Sequence, residues 1–171
     1  MNIRTLAAAG LASVLLAACS TVPQPLQGEF NPITPREAAE LDSTGAPVRW
    51  GGRIVQVEPK ENRTCFEIIS TRLTANGRPY WAEDDTGGRF IACRAGFYDP
   101  AVFEPGRDVT FIGRIDGYQS TKIGDYDYPL PKIAADVVYL WPVQREVEVV
   151  PAYPYGPWGP GWGRWGYYGW W

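Results

Sequence analysis

Two pairs of carboxylates and a trio of tyrosines are the residues of this 171-residue chain whose types and spacing could do chemistry. Asp84 and Asp85 precede Thr86-Gly87-Gly88, and Asp125 and Asp127 flank Tyr126. A glycan hydrolase needs two carboxylates at a set separation, one of them held protonated by its surroundings. Adjacent aspartates beside glycines read instead as a solvated turn. Asp125 and Asp127 would share one strand face, with Tyr126 and Tyr128 on the other, an arrangement that suits a cation or a sugar. Calcium wants more oxygen ligands than this segment displays. The chain has no histidine, so the commonest general base and the commonest metal ligand are both missing. No glycine-rich phosphate loop, nucleophile elbow or zinc spacing occurs. These observations predict a protein that is not an enzyme and holds no metal or cofactor. Tyr118, Tyr126 and Tyr128 remain as candidate ligand-binding residues, through stacking and their hydroxyls.

Cysteine is the other reactive type. Three occur, at 19, 65 and 93, and an odd count in a secreted chain calls for an explanation. The amino-terminal segment supplies one. Arg4 is the one charge before Glu29, and residues 5–18 are apolar or small. Such a run is short for a bilayer span but has the length of a signal-peptide core. It ends Leu16-Ala17-Ala18-Cys19, which resembles the lipobox cut by bacterial lipoprotein-processing enzymes. Small residues at 17 and 18 let an extended backbone enter a narrow peptidase site, and a thiol at 19 can accept a diacylglyceryl group. The expectation is cleavage before Cys19, with S-diacylglycerol and N-palmitoyl groups on that residue and membrane lipid as a partner. Each buried methylene contributes about 0.8 kcal/mol, so two or three long chains hold a protein where one myristoyl chain would not. Ser20 stands where an aspartate would signal retention in the inner membrane, so the periplasmic face of the outer membrane is the expected location.

With Cys19 acylated, Cys65 and Cys93 are left as a pair in an oxidising compartment, where disulfides persist. A bridge closing about 29 residues would contribute roughly 3–4 kcal/mol in the chain-entropy description. The competing role, a catalytic or metal-binding thiol, lacks a histidine partner or a Cys-x-x-Cys spacing. The net charge of −3, about −4 once Arg4 is removed, offers no electrostatic ground for nucleic acid as a partner.

The elements that would position these residues follow from composition. Residues 1–18 read as the signal peptide and 19–35 as a lipidated terminus and tether, stiffened by prolines at 23, 25, 32 and 35. Thr34-Pro35-Arg36-Glu37 is a capping box with proline at the first helical position, and the short helix should end at Asp42-Ser43-Thr44-Gly45. The body, 36–143, is strand-rich. Strands are expected over 48–57, 64–69, 89–94, 109–115 and 133–141, with a bulge or sharp coil where Gly51-Gly52 interrupt the first. Asp99-Pro100 should start a one-turn helix between the third and fourth strands, and Tyr98-Asp99-Pro100 should plug one end. The fold class predicted is mainly β, a small five-stranded OB-fold-like barrel with a short N-terminal helix. A small open β-sandwich is the alternative, which five strands fill less well. Residues 144–171 form a tail, in which Pro151 onward holds five tryptophans, four tyrosines, six glycines and four prolines. That composition predicts a disordered or membrane-adsorbed segment.

Six motifs in order carry a resemblance. They are Val48-Arg49-Trp50-Gly51-Gly52, Asn62-Arg63-Thr64-Cys65, Cys93-Arg94-Ala95-Gly96-Phe97-Tyr98-Asp99-Pro100, Pro105-Gly106-Arg107-Asp108-Val109, Ile123-Gly124-Asp125-Tyr126-Asp127-Tyr128-Pro129 and Ala135-Asp136-Val137-Val138-Tyr139-Leu140-Trp141-Pro142. Over about residues 30–143 the chain is similar to the Slp family, the starvation-inducible outer-membrane lipoproteins of Gram-negative bacteria. The resemblance implies an envelope location and an association with stress or stationary phase, and brings no ligand or reaction. The reading is therefore a non-enzymatic outer-membrane lipoprotein that docks on or supports envelope components, with an envelope protein or a glycan as partner. The alternative is an OB-fold module binding peptidoglycan or lipopolysaccharide. A carboxylate-dependent hydrolase using Asp85 or Asp125 is the third.

Overall fold

Hydrophobic alternation becomes a closed sheet in the computed structural model, which describes residues 22–81 and 86–144. The strands are β1 (Pro47–Pro59), β2 (Arg63–Thr71), β3 (Arg89–Ala95), β4 (Asp108–Ile123) and β5 (Tyr126–Leu140). They close in the order β1-β2-β3-β5-β4, with every pairing antiparallel except β3 with β5. That is the strand order of an OB-fold barrel, and the open sandwich does not form. Inward residues of alternating strands make the core: Val48 and Trp50 from β1, Phe66 and Ile68 from β2, Phe90 and Ala92 from β3, Val109 and Phe111 from β4, Ile133 and Ala135 from β5.

Phe66 sits at the centre of this core. Its ring lies 5.6 Å from Tyr98, 5.5 Å from Phe103 and 5.4 Å from Phe111. Tyr98 and Phe103 come from the β3–β4 connection and pack edge-on at 5.2 Å, so this loop plugs the barrel as expected. The helix expected there is a single turn that goes no further. The Asp99 carbonyl accepts from the N–H groups of Val102 and Phe103, and its carboxylate accepts from Ala101 N–H.

The N-terminal helix α1 (Pro35–Leu41) forms as read. The Thr34 hydroxyl accepts from Glu37 N–H, and the Glu37 carboxylate accepts from Thr34 N–H at 2.7 Å. Ala38 is buried against the core, and Asp42 ends the helix in the left-handed region at φ 43°. The Thr34 N–H first, and second the Thr34 hydroxyl, which donates to the same carboxylate at 2.9 Å, hold the Glu37 carboxyl below its ordinary value of 4.5. A depressed folded value means stability that is present above the unfolded value and lost as pH falls through the folded one. Wild type should therefore exceed Glu37→Gln in urea midpoint at neutral pH, and the gap should close below pH 4.5. Thr34→Ala should lower the unfolding free energy by about 1 kcal/mol.

Three further features differ from expectation. The bulge in β1 falls at Val55, where the register with β2 slips between Ile54 and Gln56. Gly51 and Gly52 serve instead as the place where β1 pairs on both edges at once, with β2 and with β4. A methyl group on Gly52 would run into the carbonyl of Ile69, so close backbone approach requires glycine there. Second, β4 and β5 extend well past 115 and before 133 as one long hairpin turning at Gly124. Pro129 and Pro131 are tolerated within β5 because β3 pairs with it only from Lys132 onward, leaving that edge without a ladder to break. Third, the segment read as a tether is docked on the barrel over its described part. A 3-10 helix, Gln24–Leu26, buries Leu26 completely, because apolar side chains spaced among the prolines still demand burial.

Candidate functional site

The hairpin separates the three tyrosines. Tyr118 pairs with Pro131 across the hairpin and Tyr128 with Thr121, so Tyr118 stands on the face opposite Tyr126 and Tyr128. The Tyr118 hydroxyl is also already engaged: it donates to Ala38 O at 2.8 Å and accepts from Ser43 N–H at 2.7 Å, tying α1 to β4. Tyr126 and Tyr128 contact each other edge-on at 6.3 Å near the hairpin tip. The single three-tyrosine platform is thus not formed. Asp125 lies in the turn itself rather than sharing a strand face with Asp127, which pairs with Lys122. Asp84 and Asp85 lie outside the described residues. Among the described residues no three carboxylates or cysteines gather as a metal site would need.

The cysteines behave as a pair. Cys65 of β2 and Cys93 of β3 are direct register partners and form a disulfide. Cys19, residues 1–18 expected to form a signal peptide, and residues 145–171 lie outside the described residues. The chain that follows Cys19 is held from Val22 on. Gln27 donates to Val22 O, Arg49 to Leu26 O at 2.9 Å, and Asn31 N–H to Pro47 O. Trp50 Nε1 donates to Ile33 O at 2.7 Å, so the segment is pinned across β1. A groove of about 660 Å³ runs beside it, lined by Phe30, Asn31, Arg49, Ser70 and Leu73 among others.

A second concavity was not foreseen in the sequence. Asp108, at the start of β4, accepts from Trp81 Nε1 at 2.9 Å and from Arg78 Nη2 at 3.4 Å, and faces Arg53 Nε at 3.7 Å. The guanidinium of Arg53 lies 4.3 Å over the ring of Trp81, and that of Arg78 lies 5.5 Å from the ring of Trp141. Trp141 Nε1 donates to Thr110 Oγ1, while Arg107 and Arg78 donate to the carbonyls of Trp141 and Pro142. Arg53, Arg78, Arg107, Asp108 and Trp141 border a cavity of about 210 Å³. Its arginines are at least 25 residues apart in sequence, and an arginine count shows no local cluster. The one signal was the pair of isolated tryptophans, 81 and 141, at strand or loop ends.

Residues 16–171 match the family described as "Outer membrane lipoprotein Slp family". The match extends past the 30–143 stretch that carries the quoted motifs, and it takes in both Leu16-Ala17-Ala18-Cys19 and the aromatic tail. The lipoprotein YeaY of Escherichia coli (strain K12) is 32% identical over 151 residues, 85% of this chain and 76% of that one. The outer membrane protein Slp of the same organism is 28% identical, covering 79% of this chain and 73% of its own length. A solved small single-stranded DNA-binding protein from Streptomyces coelicolor is similar at 14% identity and TM-score 0.34, over 56% of this chain and 94% of that one. At that score the likeness is taken no further.

Proposed function

Because the chain belongs to the outer membrane lipoprotein Slp family, we propose that it is a non-enzymatic envelope protein held at the periplasmic face of the outer membrane by acyl chains on Cys19. In this role the barrel docks on or supports another envelope component under starvation or related stress. The observation that carries the reading is Leu16-Ala17-Ala18-Cys19 at the end of an apolar run, at the very start of the family match. The docked segment from Val22 supports it, since it would hold the barrel close to its anchor. A non-catalytic role is supported by the dispersal of Asp125, Asp127 and the tyrosines, which leaves no convergent acid and base among the described residues.

Cys19→Ser tests this directly. Wild-type protein should fractionate with the outer membrane, and mass spectrometry of its mature form should show the acylated amino terminus. Cys19→Ser should lose both, and in a deletion strain it should fail to restore envelope resistance to detergent. An unmodified amino terminus in the wild type, or full complementation by Cys19→Ser, would count against the reading.

A further inference from the structure

The first and the last of the described residues both adjoin the segment that carries Arg78. At one side, Val22 and Leu26 approach to 3.8 Å and 3.4 Å of the point where a Cβ on Gly77 would sit. Gly77 is the residue before Arg78. At the other, Arg78 Nη2 donates to Pro142 O at 2.9 Å, two residues before Gln144, from which the tail with its five tryptophans continues. Residues 77 and 78 therefore bridge the start and the end of the described chain, and the guanidinium between them opens into the cavity.

We propose that this face lies against the bilayer and that the cavity bordered by Arg53, Arg78 and Arg107 takes the phosphate of an anionic glycerophospholipid headgroup, one with no choline cation to compete with the guanidinium groups. Three considerations carry the inference: charge and donor capacity stand apart from the acyl anchor proposed above, and reach rests on it. The first is charge. Three guanidinium groups and a single carboxylate, Asp108, line the cavity in a chain whose net charge is −3. This excess of positive charge is local, and a phosphate answers it. The second is donor capacity. Each guanidinium carries five N–H donors in a planar fork suited to phosphate oxygens. Arg53 meets Asp108 through Nε and lays its plane on Trp81, so among the described residues its Nη groups keep donors free. The third is reach. Cys19 precedes Val22 by three residues, and three residues span at most about 11 Å. The polar layer of one leaflet is about 5–8 Å deep. An anchor this short, followed by a segment pinned to the barrel, brings Arg78 and its neighbours to the headgroups.

The test uses the full mature chain carrying Cys19→Ser, so that acyl chains do not mask headgroup binding. Co-sedimentation is measured with phosphatidylcholine vesicles, with and without about one third phosphatidylglycerol. Binding should be stronger with phosphatidylglycerol, and the gain should shrink about fivefold for each arginine removed in Arg53→Gln and Arg107→Gln. Arg53→Lys should keep it, and circular dichroism melts identify any variant that has lost its fold. Equal binding to both vesicles, or an unchanged gain in the well-folded double glutamine variant, overturns the proposal. Saturable binding of glycerol 3-phosphate with no difference between vesicles assigns the cavity to a free phosphate and overturns the membrane source. Acylated wild type is run beside these samples. If it proves unacylated while the phosphatidylglycerol gain persists, the anchor reading fails and the headgroup site stands.

Discussion

Phe66→Ala is expected to lower the unfolding free energy by about 3–5 kcal/mol, the range for removing a large buried ring. The site predicts the upper half of that range. Phe66 is completely buried, and three other rings rest on it from different elements: Tyr98 and Phe103 from the plug and Phe111 from β4. Removing the ring leaves a void that strands locked by backbone ladders cannot close. It also removes the floor beneath the plug, so the Val102 and Phe103 amides bonded to Asp99 O should exchange faster with deuterium. Phe66→Leu should cost much less, because most of the volume is kept. Urea unfolding of the three proteins checks this, and a Phe66→Ala loss under about 1 kcal/mol would show that the plug closes over the void.

Removing the disulfide should cost nearly as much. Cys65→Ser with Cys93→Ser is expected to lower stability by about 3–4 kcal/mol, from the loop-closure entropy returned to the unfolded chain. The bridge spans 28 positions and joins β2 to β3, the strand whose other edge carries the shortest ladder of the barrel. There β3 meets β5 through a parallel seam that runs only from Ile91 to Cys93, whereas β4 and β5 are laddered along nearly their whole length. Without the bridge, β3 should be the first strand to open, visible as early amide exchange at Ile91 and Ala92. Melts of wild type with and without a reductant provide an independent measure. Identical midpoints in oxidised and reduced protein would mean that β-pairing alone closes the barrel.

Local signals in this chain were read correctly where their physics is local. The capping box at Thr34 and Glu37 needs three residues and one helical turn, so it forms wherever the chain places it. Alternation in residues 109–115 predicted which side chains of β4 face inward, because the pleat alone sets that period. The start of the last strand misled: expected at residue 133, it lies at Tyr126, because the prolines at 129 and 131 sit on an edge that β3 leaves open, and edges are not visible in one dimension. The segment before residue 35 misled in the same way. Its prolines and polar residues looked like a tether, while Leu26 found a place on the barrel that exists only once β1, β4 and residues 73–81 are assembled.

The sequence by itself determined the lipobox-like motif, the helix cap and the succession of five strands, each carried by residues close together or by a periodic pattern, and the cysteine pair by setting Cys19 apart. Only the tertiary structure decided that Tyr118 faces away from Tyr126 and Tyr128, and that Arg53, Arg78 and Arg107 meet around Asp108. The reason is barrel closure. Its register is set by the simultaneous fit of long-range core contacts such as Phe66 with Phe111, and that fit fixes which distant side chains share a face.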